Sequence, residues 1–315
     1  YTRLDLILIV ALAALALAAG IWVATDVTQR IPHLEDEMAY IFQARVFARG
    51  ALWAPEPPDH RSFFLPFVLL VNGHWIGKYP VGWPLVLAAG ELLDAGWLVN
   101  PLLGALTAAV TYCLGRDVYD RQVGLIAGLL AISSPFFLIL AGTFMSHTVG
   151  GLWVAVLLWS WRRIELAQAA GGSGRGWSTL GGAALGMLAI TRPLTGVAVG
   201  AVFGLALAVQ ATRRHRELQR VLRAYAPLAG VALLIALLQP LWLWLSTGSP
   251  TTNLYTMVWE YDRVGFGPEV GRTGHTLGEG LRTAWRDLQL WAGDLFGWRY
   301  LSWLPPALGV VLGGW

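Results

Sequence analysis

Apolar runs long enough to cross a bilayer recur along this chain, and that pattern decides most of what it can fold into. A spanning helix needs roughly 20 mainly apolar residues, and only structures that satisfy their own backbone hydrogen bonds survive in hydrocarbon. Candidate spans fall at residues 4–25, 97–114, 123–140, 148–161, 180–190, 194–209, 226–245 and 301–315, some of them short. The stretch 79–93 is also apolar, but it is short and opens with Pro80, Gly82 and Pro84. It reads as a re-entrant or juxtamembrane helix. The expected fold is all-α, a polytopic transmembrane helical bundle forming one domain over 1–315. The first run is long enough to be an uncleaved anchor rather than a signal peptide. Tyr1 in place of methionine, and an end at Trp315 inside an apolar run, read as a piece of a longer protein.

Charge placement orients this bundle. Charged residues make up 13% of the chain against 56% hydrophobic, which excludes an ordinary soluble domain. Lys78 is the sole lysine, and arginines cluster in short connections: 116–121, Arg162 with Arg163, and Arg213, Arg214, Arg216, Arg220 and Arg223. Short basic connections stay in the cytoplasm. The N-terminus is then cytoplasmic, provided that 79–93 does not cross. The two long loops, 26–96 and 247–300, hold most of the acidic residues and fall on the extracytoplasmic side. No basic stripe interleaved with aromatics points to nucleic acid. Cys113 is alone, so neither a disulfide framework nor a thiol metal cluster can form. The 17 tryptophans suit interfacial belts.

Ionisable groups crowded near a membrane need a reason. In the first loop, 36–49 reads as an amphipathic helix at the membrane surface, with acids in its first turn and Met38, Ile41, Phe42 and Phe47 apolar. Asp36, Tyr40 and Gln43 share one face of it, so Asp36 could take a proton from a hydroxyl held there. The plainer alternative is that Asp36 and Glu37 only cap the helix. Lys78 precedes a proline-initiated helix and suits a phosphate, although a snorkelling lysine would look the same. His147, in Ser146-His147-Thr148, begins a span, and Arg192, in Thr191-Arg192-Pro193, sits at a turn on the same side, where it could clamp an anion. The second loop carries Glu260-Tyr261-Asp262, Gly265-Phe266-Gly267 and His275, a mixture of glycine and charge that fits a ligand-shaped loop or any exposed turn.

The order of these features adds more than any one of them. One span comes first, then a loop with Asp36-Glu37-x-x-Tyr40, Arg45 and Gly50-x-x-Trp53. A Lys78-x-Pro80-x-Gly82 helix, an arginine-flanked pair of spans and the Thr191-Arg192-Pro193 turn follow. Together they resemble the multispanning GT-C glycosyltransferases, in the branch of the protein O-mannosyltransferases and the lipid A aminoarabinose transferase. The likeness covers about 4–205.

It implies transfer of a sugar, with inversion, from a polyprenyl-phosphate donor to an unidentified acceptor hydroxyl outside a bacterial inner membrane. By the resemblance, Asp36 falls on the catalytic carboxylate and Glu37 on its acidic neighbour, while Lys78 and Arg192 match positions near the donor phosphate. Ser146-His147 stands where relatives often carry a second aspartate. Some GT-C enzymes use a divalent cation; Asp36, Glu37 and His147 are too scattered to assign one. His275 lies outside the matched region and is assigned to acceptor binding. Two other classes remain open: a non-catalytic GT-C-like subunit or scaffold of a larger membrane complex, and a transporter, which should show inverted repeats or mid-span acids that are not visible here.

Overall fold

The computed structural model describes residues 1–59, 62–213, 218–298 and 301–313. The predicted helical bundle is present. Helix α1 (Arg3–Trp22) is followed by a π-helical turn and by α2 (Glu35–Ala48); α3 (Gly82–Glu91), α4 (Gly96–Val118), α5 (Arg121–Ser133), α6 (Pro135–Ala141) and α7 (His147–Ala169) come next. The chain continues through α8 (Arg175–Thr191), α9 (Pro193–Arg213), α10 (Leu218–Ala236), α11 (Leu238–Thr247), α12 (Leu254–Val258), α13 (Leu277–Phe296) and α14 (Leu304–Gly313).

Among the described residues, four helical stretches are long and apolar enough to cross a membrane: Arg3–Val27, Gly96–Val118, Pro193–Thr212 and Gln219–Thr247. The expected span 123–140 is broken. Ser134 separates α5 from α6, which bend by 66°, because Pro135 at the start of α6 removes an N–H and crowds the preceding turn. Of the other expected spans, α7 is long but carries Arg162, Arg163 and Glu165, α8 has 17 residues and α14 has 10. At ten residues, about 15 Å, α3 is too short to cross.

The first long loop is more structured than its composition suggested. It contains a small antiparallel sheet of β1 (Ala54–Pro55), β2 (Val68–Val71) and β3 (His74–Gly77) in the order β1-β3-β2, with Leu70 opposite Trp75. Helix α2 rests on it. Seven of its fourteen residues are buried, Glu37 and Gln43 among them, while Met38 is exposed. It is therefore wedged into the protein instead of floating on one apolar face. Gln43 explains part of this, since its amide accepts the Gly77 N–H at 3.0 Å and donates to the Leu52 carbonyl at 3.1 Å.

The strongest one-faced helix lies elsewhere. Helix α13 falls within the stretch read as a second loop, starts with a capping box in which Thr276 and Glu279 exchange hydrogen bonds, and exposes Leu277, Leu281 and Trp285. An apolar stripe of that kind suits a membrane interface.

Of the three buried apolar clusters among the described residues, one packs the small sheet against α8 and α11 and the other two hold the helices of the bundle. One gathers Leu12, Ala16, Ala105, Ala108 and Tyr112 where α1 and α4 cross. The larger joins α2, α3, α7, α8 and α10 around the fully buried Trp83, whose indole N–H donates to the Phe144 carbonyl at 2.7 Å. That bond ties α3 to the segment leading into α7.

Candidate active site

Three local packing decisions bring distant residues into one place. Glu37, at the third position of α2, reaches back to the backbone N–H of His33 at 2.7 Å and of Leu34 at 3.3 Å, and its other oxygen accepts the Phe144 N–H at 3.0 Å. This fixes the start of α2 against the loop before α7. At Gly82 a Cβ would lie 2.4 Å from the Thr191 hydroxyl and 2.8 Å from the Ile190 carbonyl, so only glycine lets α3 touch the end of α8. At Gly150 a Cβ would lie 2.9 Å from Arg192 Cδ, so the missing side chain makes room for that arginine beside α7.

The result is a cavity of about 450 Å³ where α2, α3, α7 and the α8–α9 turn converge. Asp36, Tyr40, Tyr79, His147 and Arg192 line it, and the second loop closes one side with Asn253, Tyr255 and Asp262. Asp36 is half-buried and accepts a hydrogen bond from the Tyr79 hydroxyl on one oxygen; its other oxygen has no hydrogen-bond partner among the described residues. Burial, and then that bond, push the Tyr79 pKa up, so the phenol stays a donor. Ser146 links the far wall: its hydroxyl meets Tyr40 at 3.4 Å and accepts from Arg192 Nη1 at 3.2 Å. Burial also raises the pKa of Tyr40. His147 presents a buried Nδ1 with no hydrogen-bond partner among the described residues.

Four expected site residues therefore meet: Asp36, Tyr40, His147 and Arg192. Three do not join them. Glu37 is buried beside the cavity with its oxygens taken by backbone N–H groups, the bland capping alternative in stronger form. Lys78 does not face the cavity. Its ammonium is enclosed by the rings of Phe67 at 3.8 Å, Trp259 at 4.7 Å, and Tyr79 and Tyr255 at 5.1 Å each. Burial pulls its pKa down, and Asp262 and Asp36 only partly oppose that. In this position Lys78 pins the first loop to the second. His275 stacks on Phe266 at 5.5 Å, its backbone pairs with Gly267, and it is not among the residues that line the cavity.

Tyr79 and Ser146 are the partners that the sequence reading passed over. Each adjoins a singled-out residue, Lys78 or His147, and nothing in the spacing marks either as the one that turns inward. No group of three or more His, Cys, Asp or Glu among the described residues is placed to hold a metal ion. With one Asp36 oxygen taken by Tyr79 and the Arg192 cation in the opposite wall, the donor set does not fit a divalent cation.

No family model matches the sequence, and no curated protein matches it. Solved structures do. The Saccharomyces cerevisiae protein O-mannosyltransferase Pmt1-Pmt2 complex bound to the sugar donor superposes with a TM-score of 0.58 at 14% identity, covering 86% of this chain and 37% of that one. The Archaeoglobus fulgidus oligosaccharyltransferase AglB, in complex with an inhibitory peptide and a dolichol-phosphate, gives 0.55 at 17% identity, covering 92% and 37%. This chain spans little more than a third of the length of either neighbour. At such identities the likeness is one of architecture, and the chain therefore has the fold of the GT-C membrane glycosyltransferases.

Proposed function

We propose that this chain is a membrane glycosyltransferase that moves a sugar from a polyprenyl-phosphate carrier to a hydroxyl acceptor with inversion. One observation carries the reading: the half-buried carboxylate of Asp36, with one oxygen open to the cavity, lies in the same cavity as the Arg192 guanidinium. Inverting transfer needs a base on the acceptor side of the anomeric carbon and a cation on the leaving-group side. The acceptor oxygen forms the new bond to the anomeric carbon, and its proton passes to Asp36. The bond from that carbon to the phosphate oxygen breaks, and its electron pair leaves with the phosphate, where Arg192 offsets the growing charge.

Tyr79 orients Asp36 through the oxygen it holds. His147, with its unpaired Nδ1, is placed to bond a sugar hydroxyl or the phosphate. Tyr40 lines the wall, while Glu37 and Lys78 hold the segments around it in place. The cavity lies at the end of the bundle away from the arginine-rich connections, and the tendency of short basic connections to stay in the cytoplasm supports our reading of an extracytoplasmic site on a plasma (inner) membrane protein with a cytoplasmic N-terminus.

The test is transfer in liposomes from a panel of polyprenyl-phosphate sugars to hydroxyl acceptors. Measurable transfer is expected, with turnover about 10²- to 10⁴-fold lower in Asp36→Asn, the usual worth of a general base. Equal turnover in both proteins would remove Asp36 as the base. No turnover with any donor, in a protein that still melts cooperatively, would favour the non-catalytic scaffold.

A further inference from the structure

Among the described residues of the second loop, Asp262 is the carboxylate that lines the cavity. Its neighbours are spent on one another: Glu260 and Glu269 both pair with Arg263, at 4.0 Å and 2.6 Å, and Arg272 donates to the Tyr261 hydroxyl at 3.0 Å. Asp262 is half-buried, and its side chain has no hydrogen bond or ion pair among the described residues. Lys78, in its cage of rings, feels this charge without touching it. The turn does not need the carboxylate either. Asp262 is held by its backbone N–H, which donates to the Trp259 carbonyl at 2.9 Å, while the next strand of the loop is tied by the Gly271 N–H to the Tyr261 carbonyl at 2.8 Å.

Two residues on the same wall add groups of the opposite kind. Asn253 accepts the Tyr255 N–H on its amide oxygen at 3.0 Å, which leaves the amide nitrogen to donate. The Tyr255 hydroxyl has no hydrogen-bond partner among the described residues, and its ring is held edge-on to Tyr79 at 5.9 Å. The wall therefore sets an acceptor, Asp262, beside two donors.

That mixture selects a ligand class. A phosphate takes donors only and is repelled by a carboxylate; an apolar chain uses neither kind of group. A sugar hydroxyl donates and accepts at one oxygen, so it is met best by a wall that offers both. With the phosphate at Arg192 and the acceptor oxygen at Asp36, the ring joined at the anomeric carbon turns to a wall that still has groups to spend. Ser146, on the α7 side, is already taken by Tyr40 and Arg192.

We propose that the second-loop wall reads the transferred sugar: Asp262 accepts from neighbouring ring hydroxyls, Asn253 and Tyr255 donate to sugar oxygens, and the donor carries a neutral, hydroxyl-rich hexose or pentose. A uronic acid would bring its own carboxylate against Asp36 and Asp262 and is disfavoured. The inference rests on the reading of this cavity as a site for a lipid-phosphate sugar.

Calorimetric titration of the detergent-purified chain with farnesyl phosphate, and with farnesyl-phosphate mannose, glucose, galactose and arabinose, separates the sugar from the phosphate. At least one sugar-bearing lipid is expected to bind roughly tenfold more tightly than farnesyl phosphate, an advantage lost in Asp262→Ala and reduced a few-fold in Tyr255→Phe, which keeps the ring. Farnesyl phosphate itself should bind these variants at least as well as the parent, which also shows that they are folded. An advantage that survives Asp262→Ala, or that no sugar gives in the parent, would overturn the sugar wall and leave the phosphate site standing. Farnesyl-phosphate glucuronic acid binding as tightly as the neutral donors would overturn the assigned sugar class. Failure of farnesyl phosphate to bind the parent at all would instead remove the donor site, and this inference with it.

Discussion

The two ends of the bundle both hold half-buried or buried aspartates, and Asp5 and Asp117 at one end are treated in the opposite way to Asp36 at the other. At the arginine-rich end Asp5 is buried and accepts from Arg121 Nε and the Tyr112 hydroxyl, both at 2.9 Å. Asp117 accepts from Trp159 at 2.9 Å, and from Tyr1 and Arg116 at 3.1 Å each. These carboxylates tie α1, α4, α5 and α7 together and keep little capacity for anything else. At the other end Asp36 has one partner, Arg192 one hydroxyl, and His147 a buried nitrogen with none among the described residues. Saturated polar groups hold helices in place, whereas unsaturated ones beside a cavity are available to a ligand.

Substitutions at each end should separate along that line. The largest effect is expected from Asp117→Asn, which leaves buried donors and arginines without their charge partner and should lower stability by about 3–5 kcal/mol. Thermal unfolding in detergent reads that loss, and transfer per folded molecule should stay unchanged; a fall in transfer without a fall in stability would blur the two ends. Arg192→Gln should do the reverse, cutting turnover about a hundredfold by removing charge opposite the leaving phosphate, with a melting temperature near that of the parent.

Glu37 stands between the categories. By sequence it is half of an acidic pair, yet its contacts are those of a strut. Glu37→Gln should cost about 1–3 kcal/mol of stability, and turnover per folded molecule should fall far less than in Asp36→Asn; equal losses would put Glu37 back in the chemistry. Tyr79→Phe is the mildest, removing one neutral hydrogen bond to Asp36, so turnover should drop roughly three- to tenfold, and a thousandfold loss would mean that the phenol itself takes part in the reaction.

Spans were legible because bilayer thickness imposes an apolar run on any helix that crosses it, and α1, α4 and α9 follow their runs closely. Gly82 was legible as part of a Lys-x-Pro-x-Gly helix, though not as the place where α3 touches α8. Helix α13 was hidden in a stretch read as loop, because charges on its other face diluted the apolar signal. Periodicity also could not say which polar neighbour would turn inward: Asp36 and Glu37 are adjacent, and a rotation of about 100° per residue sends one to the cavity and the other to the backbone of Phe144. Lys78 was assigned to a phosphate by its charge; its aromatic neighbours Tyr255 and Trp259 lie more than 170 residues away along the chain.

Donor affinity and turnover measured side by side for the parent and Asp36→Asn test the assignment of Asp36 most directly. The expected result is turnover lower by two to four orders of magnitude with binding of a polyprenyl-phosphate sugar within a few-fold of the parent. A variant that turns over at the parental rate, or that loses donor binding in proportion to turnover, would contradict a base acting on the acceptor hydroxyl.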